Sequence, residues 1–468
     1  MNHPVRSECL AAPSATGDSA EIPVEPSLAL LRALRMVVRA DSDPARQALF
    51  AKVLRSRPGV RFAWQLHDRL RGTSAGAMLV GSVGLAAFAA IAAPRNRRAK
   101  VIAVARHENA RRQVARVVEW IGVDDCAAVR VGAGMSAVTN VASLLVSGQV
   151  RRTVRLFRAI DRRYGFLVSC RMAVGLAWYA RGKAILAAAS PRAVLVSSDS
   201  NPEEIGWVAA ARALDIPQVF VSHAYPTPLS PPLEFSLSIL EGEAAVYERG
   251  RRGPVKGRVV LAGVEGHSAP LQPNRFIRPN PVIGIFTPKA VSRDVLRALV
   301  EDCRVLFHAR QIVIRWHPSM LERVPLADVL TDLTGVVESA GSAPLEEIAA
   351  RCDWVIADEN SNVHLPVLKF GIPTVAIKGL GVYPLSRSDQ YGFGANGIVF
   401  PPVQSMRDVD PPALIEFFSS GWQARFQRYD ASYLQPTEAI VETVRGAIIA
   451  LFDAPPSSLA RSCRTPSN

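Results

Sequence analysis

The chain has 468 residues, 49% hydrophobic and 21% charged, which is enough apolar material for more than one core and excludes a disordered chain. Six widely spaced cysteines (Cys9, Cys126, Cys170, Cys303, Cys352, Cys463) form no CxxC or other metal-ligand pattern and read as reduced core thiols, so a disulfide scaffold and a zinc module are excluded. The formal charge of +14 is lopsided: residues 1–200 hold 30 Lys and Arg against 13 Asp and Glu, and the rest of the chain is slightly acidic.

Residues 1–25 are polar and lack an apolar core, so no secretory leader is expected; they and residues 454–468 read as disordered tails. Residues 26–95 form a basic helical, membrane-associated or body-packed segment. Ser27 to Arg39 carries Leu28, Leu31 and Leu34 on one stripe and Arg32, Arg35 and Arg39 on another. Pro44 to Arg57 repeats that design, and such helices suit either a membrane surface or the body of the domain. Ser74 to Ala93 has no charge and the length of a bilayer span. It is rich in Ala and Gly and basic on both flanks, so a buried or interfacial helix competes with a span.

From Lys100 the pattern alternates. Strands are expected at 101–105, 127–131, 193–197 and 218–222, with helices at 108–121, within a long region ending near Ala189, and at 203–214, the last opened by Asn201 and Pro202. The stretch 224–256 reads as loop. A second rhythm follows, with strands at 258–262, 282–286, 311–315, 335–338, 354–357 and 374–377, and helices at 291–308, 343–351, 362–370 and 435–452. Both halves therefore read as doubly wound parallel sheets: an acceptor-side domain over 96–256 and a nucleotide-donor domain over 257–453.

Ligands of such sheets sit beyond the strands' carboxyl ends, which selects three constellations. Arg315-Trp316-His317-Pro318 follows the strand QIVIR. His317 could hydrogen-bond a diphosphate or protonate a leaving phosphate, and Arg315 could pair with its oxygens. Thr287 ends the preceding strand of that half. Asp358-Glu359-Asn360-Ser361-Asn362-Val363-His364 joins the strand WVIA to a helix that Asn360 or Ser361 would cap. The outward amides of 361–363 and the Ser361 hydroxyl would then face an anion, with Glu359 toward ribose hydroxyls. Ser222-His223-Ala224 follows QVFVS and would place His223 as a general base at the cleft, with Asp199, Glu203 and Glu204 as rival bases. Each of these also has a structural reading, as a capped helix, a loop histidine or acids favouring a helix dipole.

Together the three segments resemble GT-B transferases of bacterial surface polysaccharide synthesis, such as capsule sialyl- and Kdo-transferases and CDP-glycerol glycerophosphotransferases. Leu214 to His223 (LDIPQVFVSH) resembles their GIPxxxxQH segment, with Asp215 and Ser222 in place of Gly and Gln. Arg315 to Pro318 resembles their HP motif, and Trp354 to Pro373 their Ser-bearing phosphate loop, with Ser361-Asn362 for the usual Ser-Ser/Thr pair. The likeness spans about 193–400. It implies a GT-B-like fold, two Rossmann-like domains facing a cleft, and a glycosyltransferase moving a sugar or polyol phosphate from a nucleotide-activated donor to a surface-glycan or lipid-linked acceptor. His317 and Ser361 would share the donor phosphate. No cofactor or metal is expected, since no Asp-x-Asp stands at a predicted strand end. A cytoplasmic protein touching the anionic inner face of the membrane is expected; no zinc pattern or interleaved aromatics point to nucleic acid. A nucleotide-sugar epimerase and a catalytically degenerate partner protein are the alternatives.

Overall fold

The computed structural model describes residues 58–73, 75–76, 99–106, 108–122, 126–129, 158, 162, 166–226, 230–263, 278–288, 290–317, 335–339, 343–381, 389–419 and 421–453. The expected helices over 27–39 and 44–57, and 74–93 apart from residues 75–76, lie outside them. No helix among the described residues is long and apolar enough to cross a membrane.

Twelve strands form two six-stranded parallel sheets. The first contains β1 (Val101–Val104), β2 (Cys126–Val129), β3 (Ala193–Val196), β4 (Gln218–Val221), β5 (Glu234–Leu240) and β6 (Lys256–Leu261), in the order β2-β1-β3-β4-β5-β6. The second contains β7 (Val282–Phe286), β8 (Gln311–Arg315), β9 (Val336–Glu338), β10 (Trp354–Asp358), β11 (Thr374–Ile377) and β12 (Phe400–Val403), in the order β12-β11-β10-β7-β8-β9. The strands that are buried on both faces are short runs of Val, Ile and Ala, as parallel strands covered by helices require. The strand order reverses between β1 and β3 in the first sheet and between β7 and β10 in the second. Each reversal opens a crevice at the carboxyl edge, where such sheets bind ligands.

Eleven α-helices complete the described chain: α1 (Pro58–Leu70), α2 (Glu108–Ile121), α3 (Phe166–Ala189), α4 (Pro202–Arg212), α5 (Glu243–Gly250), α6 (Arg293–Phe307), α7 (Leu345–Ala350), α8 (His364–Lys369), α9 (Pro411–Ser419), α10 (Trp422–Tyr429) and α11 (Thr437–Asp453). α3 and α4 pack at close range because Gly206 has no side chain. A Cβ there would stand 2.7 Å from the Gly175 carbonyl oxygen and from Trp178 Cβ. Asp215, just beyond α4, has a φ of +54°, the left-handed region that favours Gly and tolerates Asp. This explains why the resembled motif has Gly at that place.

The structure differs from the sequence reading in several elements, and β12, α9 and α10 stand where no element was expected. The stretch 224–256 is not loop: it holds β5 and α5, and the alternation of Phe235, Leu237 and Ile239 is a strand signal hidden between prolines. The strand expected to open the second rhythm, β6, is the edge strand of the first sheet. The last helix, α11, returns to the first sheet, burying Ile440, Val444 and Ile448 in one cluster with Val114 and Val117 of α2. Arg445 Nε donates to the Trp120 carbonyl oxygen at 2.8 Å. The outgoing and returning chains meet, since a Cβ on Gly263 would lie 2.4 Å from Asp430 Oδ1 and one on Gly242 2.4 Å from the Tyr429 carbonyl oxygen.

Candidate functional site

On the second sheet the register places Phe286 beside both Arg315 and Ala357. Thr287 therefore stands between the end of β8 and the end of β10, at the strand reversal. Its amide donates to the Arg315 carbonyl oxygen at 2.9 Å, and its hydroxyl oxygen accepts from the His317 amide at 3.2 Å. Thr287 thus holds the turn that carries His317. The Arg315 guanidinium lies 5.6 Å from the centre of the Phe286 ring, and partial burial lowers its pKa, opposed by the Glu346 carboxylate. His317 and Ser361 follow strands two places apart, about 10 Å between axes. A ligand phosphate touching both would lie over Thr287.

The segment after β10 differs from the expected cap. α8 starts at His364, its N-cap is Val363, and no side chain caps it. The Ser361 amide donates to the Asp358 carbonyl oxygen at 2.9 Å and the Val363 amide to Ser361 Oγ at 3.4 Å. Asp358 is already linked to the neighbouring backbone, which begins a tight turn before the helix: Asn360 and Gly381 amides donate to its carboxylate at 3.0 and 3.1 Å. The outward row of amides is therefore not built, and an anion here would be met by side chains: Ser361, Asn362, Thr287, Arg315 and His317. Glu359 and Asn360 hold another segment, accepting from the Asp389 and Gln390 amides at 3.2 and 2.7 Å. Burial pushes the Asp358 carboxyl above its usual range. His364, the last residue of that constellation, is fully buried with Nε2 3.0 Å from the Asp358 carbonyl oxygen; burial lowers its pKa to about 4.

The segment 389–397 continues to the first domain. Asn396 Nδ2 donates to the Tyr225 hydroxyl at 3.1 Å, and Tyr225 stacks on Tyr429 with ring centres 4.4 Å apart. Tyr225 lies two residues after His223, so one segment touches both strand-end regions.

At the first carboxyl edge, His223 Nδ1 lies 2.6 Å from the Ser197 carbonyl oxygen and 3.1 Å from Ser197 Oγ. A carbonyl only accepts, so Nδ1 carries the hydrogen and Nε2 is the basic nitrogen of the neutral ring. Burial lowers the His223 pKa, opposed by the Ser197 carbonyl and by Asp199. The rival bases are engaged. Asp199 pairs with Arg249 of α5, and Glu203 pairs with Arg106 at 2.7 Å. Neither arginine shares a local motif with its acid, so these pairs carry no sequence signal. Glu204 is fully buried; burial raises its pKa, opposed by three backbone hydrogen bonds that favour the carboxylate. Glu241, missed in the sequence, is also buried, accepts from Ser222 Oγ at 2.5 Å and is raised to about 7.

Beside the domain junction runs an open groove of about 820 Å³ lined by Tyr247, Leu261, Asn396, Arg425 and Arg428 among others. Among the described residues no three His, Cys, Asp or Glu side chains cluster as metal ligands.

No protein-family model and no curated protein matches the sequence. Solved structures with a similar course include S. aureus MnaA with UDP, at 11% identity over 76% of this chain and 99% of that one, TM-score 0.44. UDP-GlcNAc 2-epimerase from Neisseria meningitidis, bound to UDP-GlcNAc, has 15% identity over 74% and 99%, TM-score 0.39. The glycosyltransferase SnogD from Streptomyces nogalater has 15% identity over 75% and 99%, TM-score 0.39. The fold is GT-B-like. That statement rests on the two parallel sheets, their strand orders and the returning α11.

Proposed function

We propose that the protein is a glycosyltransferase acting on a nucleotide-activated sugar or polyol phosphate. The observation that supports this reading is the pair of strand-end constellations, one on each sheet, the first with a basic imidazole nitrogen and the second with cationic and hydroxyl side chains. In the proposed reaction, His223 Nε2 takes the proton of an acceptor hydroxyl as its oxygen bonds to the donor carbon. With a sugar donor the bond from that carbon to the phosphate oxygen breaks; with a polyol phosphate donor the acceptor oxygen bonds to phosphorus instead and the phosphoanhydride bond breaks. In both the nucleotide leaves with its new charge held by Arg315, His317 and Ser361. The acceptor we favour is a surface-glycan or lipid-linked hydroxyl, and the basic first half would attract an anionic membrane.

The experiment is a thermal-shift screen against CMP, CDP, UDP, GDP and dTDP sugars, followed by turnover of the stabilising donor in wild type and His223→Ala. Loss of turnover with donor affinity retained supports the reading; full turnover in His223→Ala removes His223 as the base. The alternative reading is a nucleotide-sugar 2-epimerase, which would move a proton on the sugar ring and need no acceptor. Deuterium entering the sugar ring from solvent, without acceptor, would decide for it.

A further inference from the structure

We infer that Glu204 is the positioning residue for His223: its buried carboxylate shapes the Ser197-Ser198 turn, and the Ser197 carbonyl then fixes which imidazole nitrogen meets substrate. This rests on the reading of His223 as the base.

The geometry runs through backbone. Glu204 lies in the first turn of α4 with no exposed surface. One carboxylate oxygen accepts from the Ser197 amide at 2.9 Å and the Ser198 amide at 2.5 Å. The other accepts from the Arg106 amide at 3.3 Å. Amides from the ends of β1 and β3, the two strands flanking the reversal, thus converge on one side chain. The Ser197 peptide oriented this way presents its carbonyl to His223 Nδ1 at 2.6 Å. Three backbone donors favour the ionised carboxylate against the burial that raises its pKa, and an ionised carboxylate only accepts. Glutamine would turn an N–H toward one of those amides, and the peptide would rotate to relieve the clash. The Ser197 carbonyl would move with it, leaving His223 free to exchange its ring hydrogen between nitrogens.

Glu203, the adjacent and equally buried acid, is bound to the Arg106 side chain instead. It provides the control. The charged groups around His223 are Asp199 and Arg249, which pair with each other; those around Glu204 are Glu203 and Arg106.

The test is nitrogen-detected NMR of the histidine rings in the full chain, with the His223 signal identified by its loss in His223→Ala. Wild type should show the Nδ1–H form. Glu204→Gln should show a mixture of both forms and a midpoint lower by about half a pH unit, because the Ser197 carbonyl favours the protonated ring. Glu203→Gln should keep the wild-type tautomer. With the donor found by the screen, Glu204→Gln should lower kcat about tenfold at unchanged donor KM, and the acid limb of the pH profile should move with the NMR midpoint. If Glu204→Gln does not fold, Glu204→Asp, one methylene short of the amides, should give the same mixture. A folded Glu204 variant with wild-type tautomer and midpoint overturns the inference. Full turnover in His223→Ala overturns instead the base assignment, and the tautomer result then stands on its own.

Discussion

His364 shows how a single buried group sets a pH dependence. Its ring sits edge-on to Phe393, 5.5 Å between centres, and is neutral because burial lowers its pKa to about 4. An unfolded chain would take up that proton near the ordinary value of about 6.5. The sign follows: stability is complete above that value and falls as pH drops from there toward 4, by about 3 kcal/mol in all. Calorimetry from pH 7 to 4 should show a steeper loss in wild type than in His364→Gln. At the donor edge, His317→Ala and Ser361→Ala should each weaken nucleotide binding by about 1–3 kcal/mol. If one phosphate over Thr287 touches both, the double variant should lose less than the two single losses together. Titration calorimetry with the best nucleotide measures this, and wild-type affinity in either single variant would place the phosphate elsewhere.

Elements with a strong local pattern were legible, while β5, between prolines, and β12, whose run is broken by Pro401 and Pro402, were not. β7, β8 and β11 fall where 282–286, 311–315 and 374–377 were expected, and α2 matches 108–121, because apolar runs and helical periodicity are local properties of the chain. Strand order was not legible: β6 belongs to the first sheet and α11 returns to it through contacts far apart in sequence. The same distinction governs the site. His317 and His223 could be found as polar residues after strands, whereas the engagement of Asp199 by Arg249, 50 positions away, could not. The missing cap at Asn360-Ser361 has a local cause, the turn that Asp358 makes with its own following amides. Packing between elements gives a further expectation. Gly206→Ala forces a methyl group into the α3 backbone at 2.7 Å, so it should destabilise the protein by about 1–3 kcal/mol, read as a lower denaturant midpoint at unchanged slope.

Across the whole molecule, the aromatic contacts Tyr225–Tyr429 and Phe393–Tyr429, with the Asn396–Tyr225 hydrogen bond, join the two halves into one buried cluster. Unfolding of wild type should be a single transition by circular dichroism and by tryptophan fluorescence. Tyr225→Ala should separate the two signals; coincident curves in that variant would show that the halves are coupled elsewhere. The basic first half carries a different expectation. The full chain should float with anionic vesicles at low salt and be released at high salt, since surface attraction is screened within about 10 Å at 0.1 M. No flotation at low salt would remove the membrane from the proposal. Gly263, the last described residue after β6, lies against Asp430, and its carbonyl oxygen accepts from Arg116 at 3.4 Å. A side chain larger than hydrogen at position 263 would therefore push on the returning segment at Asp430 and Ser432, so one substitution there strains both passages of the chain at once.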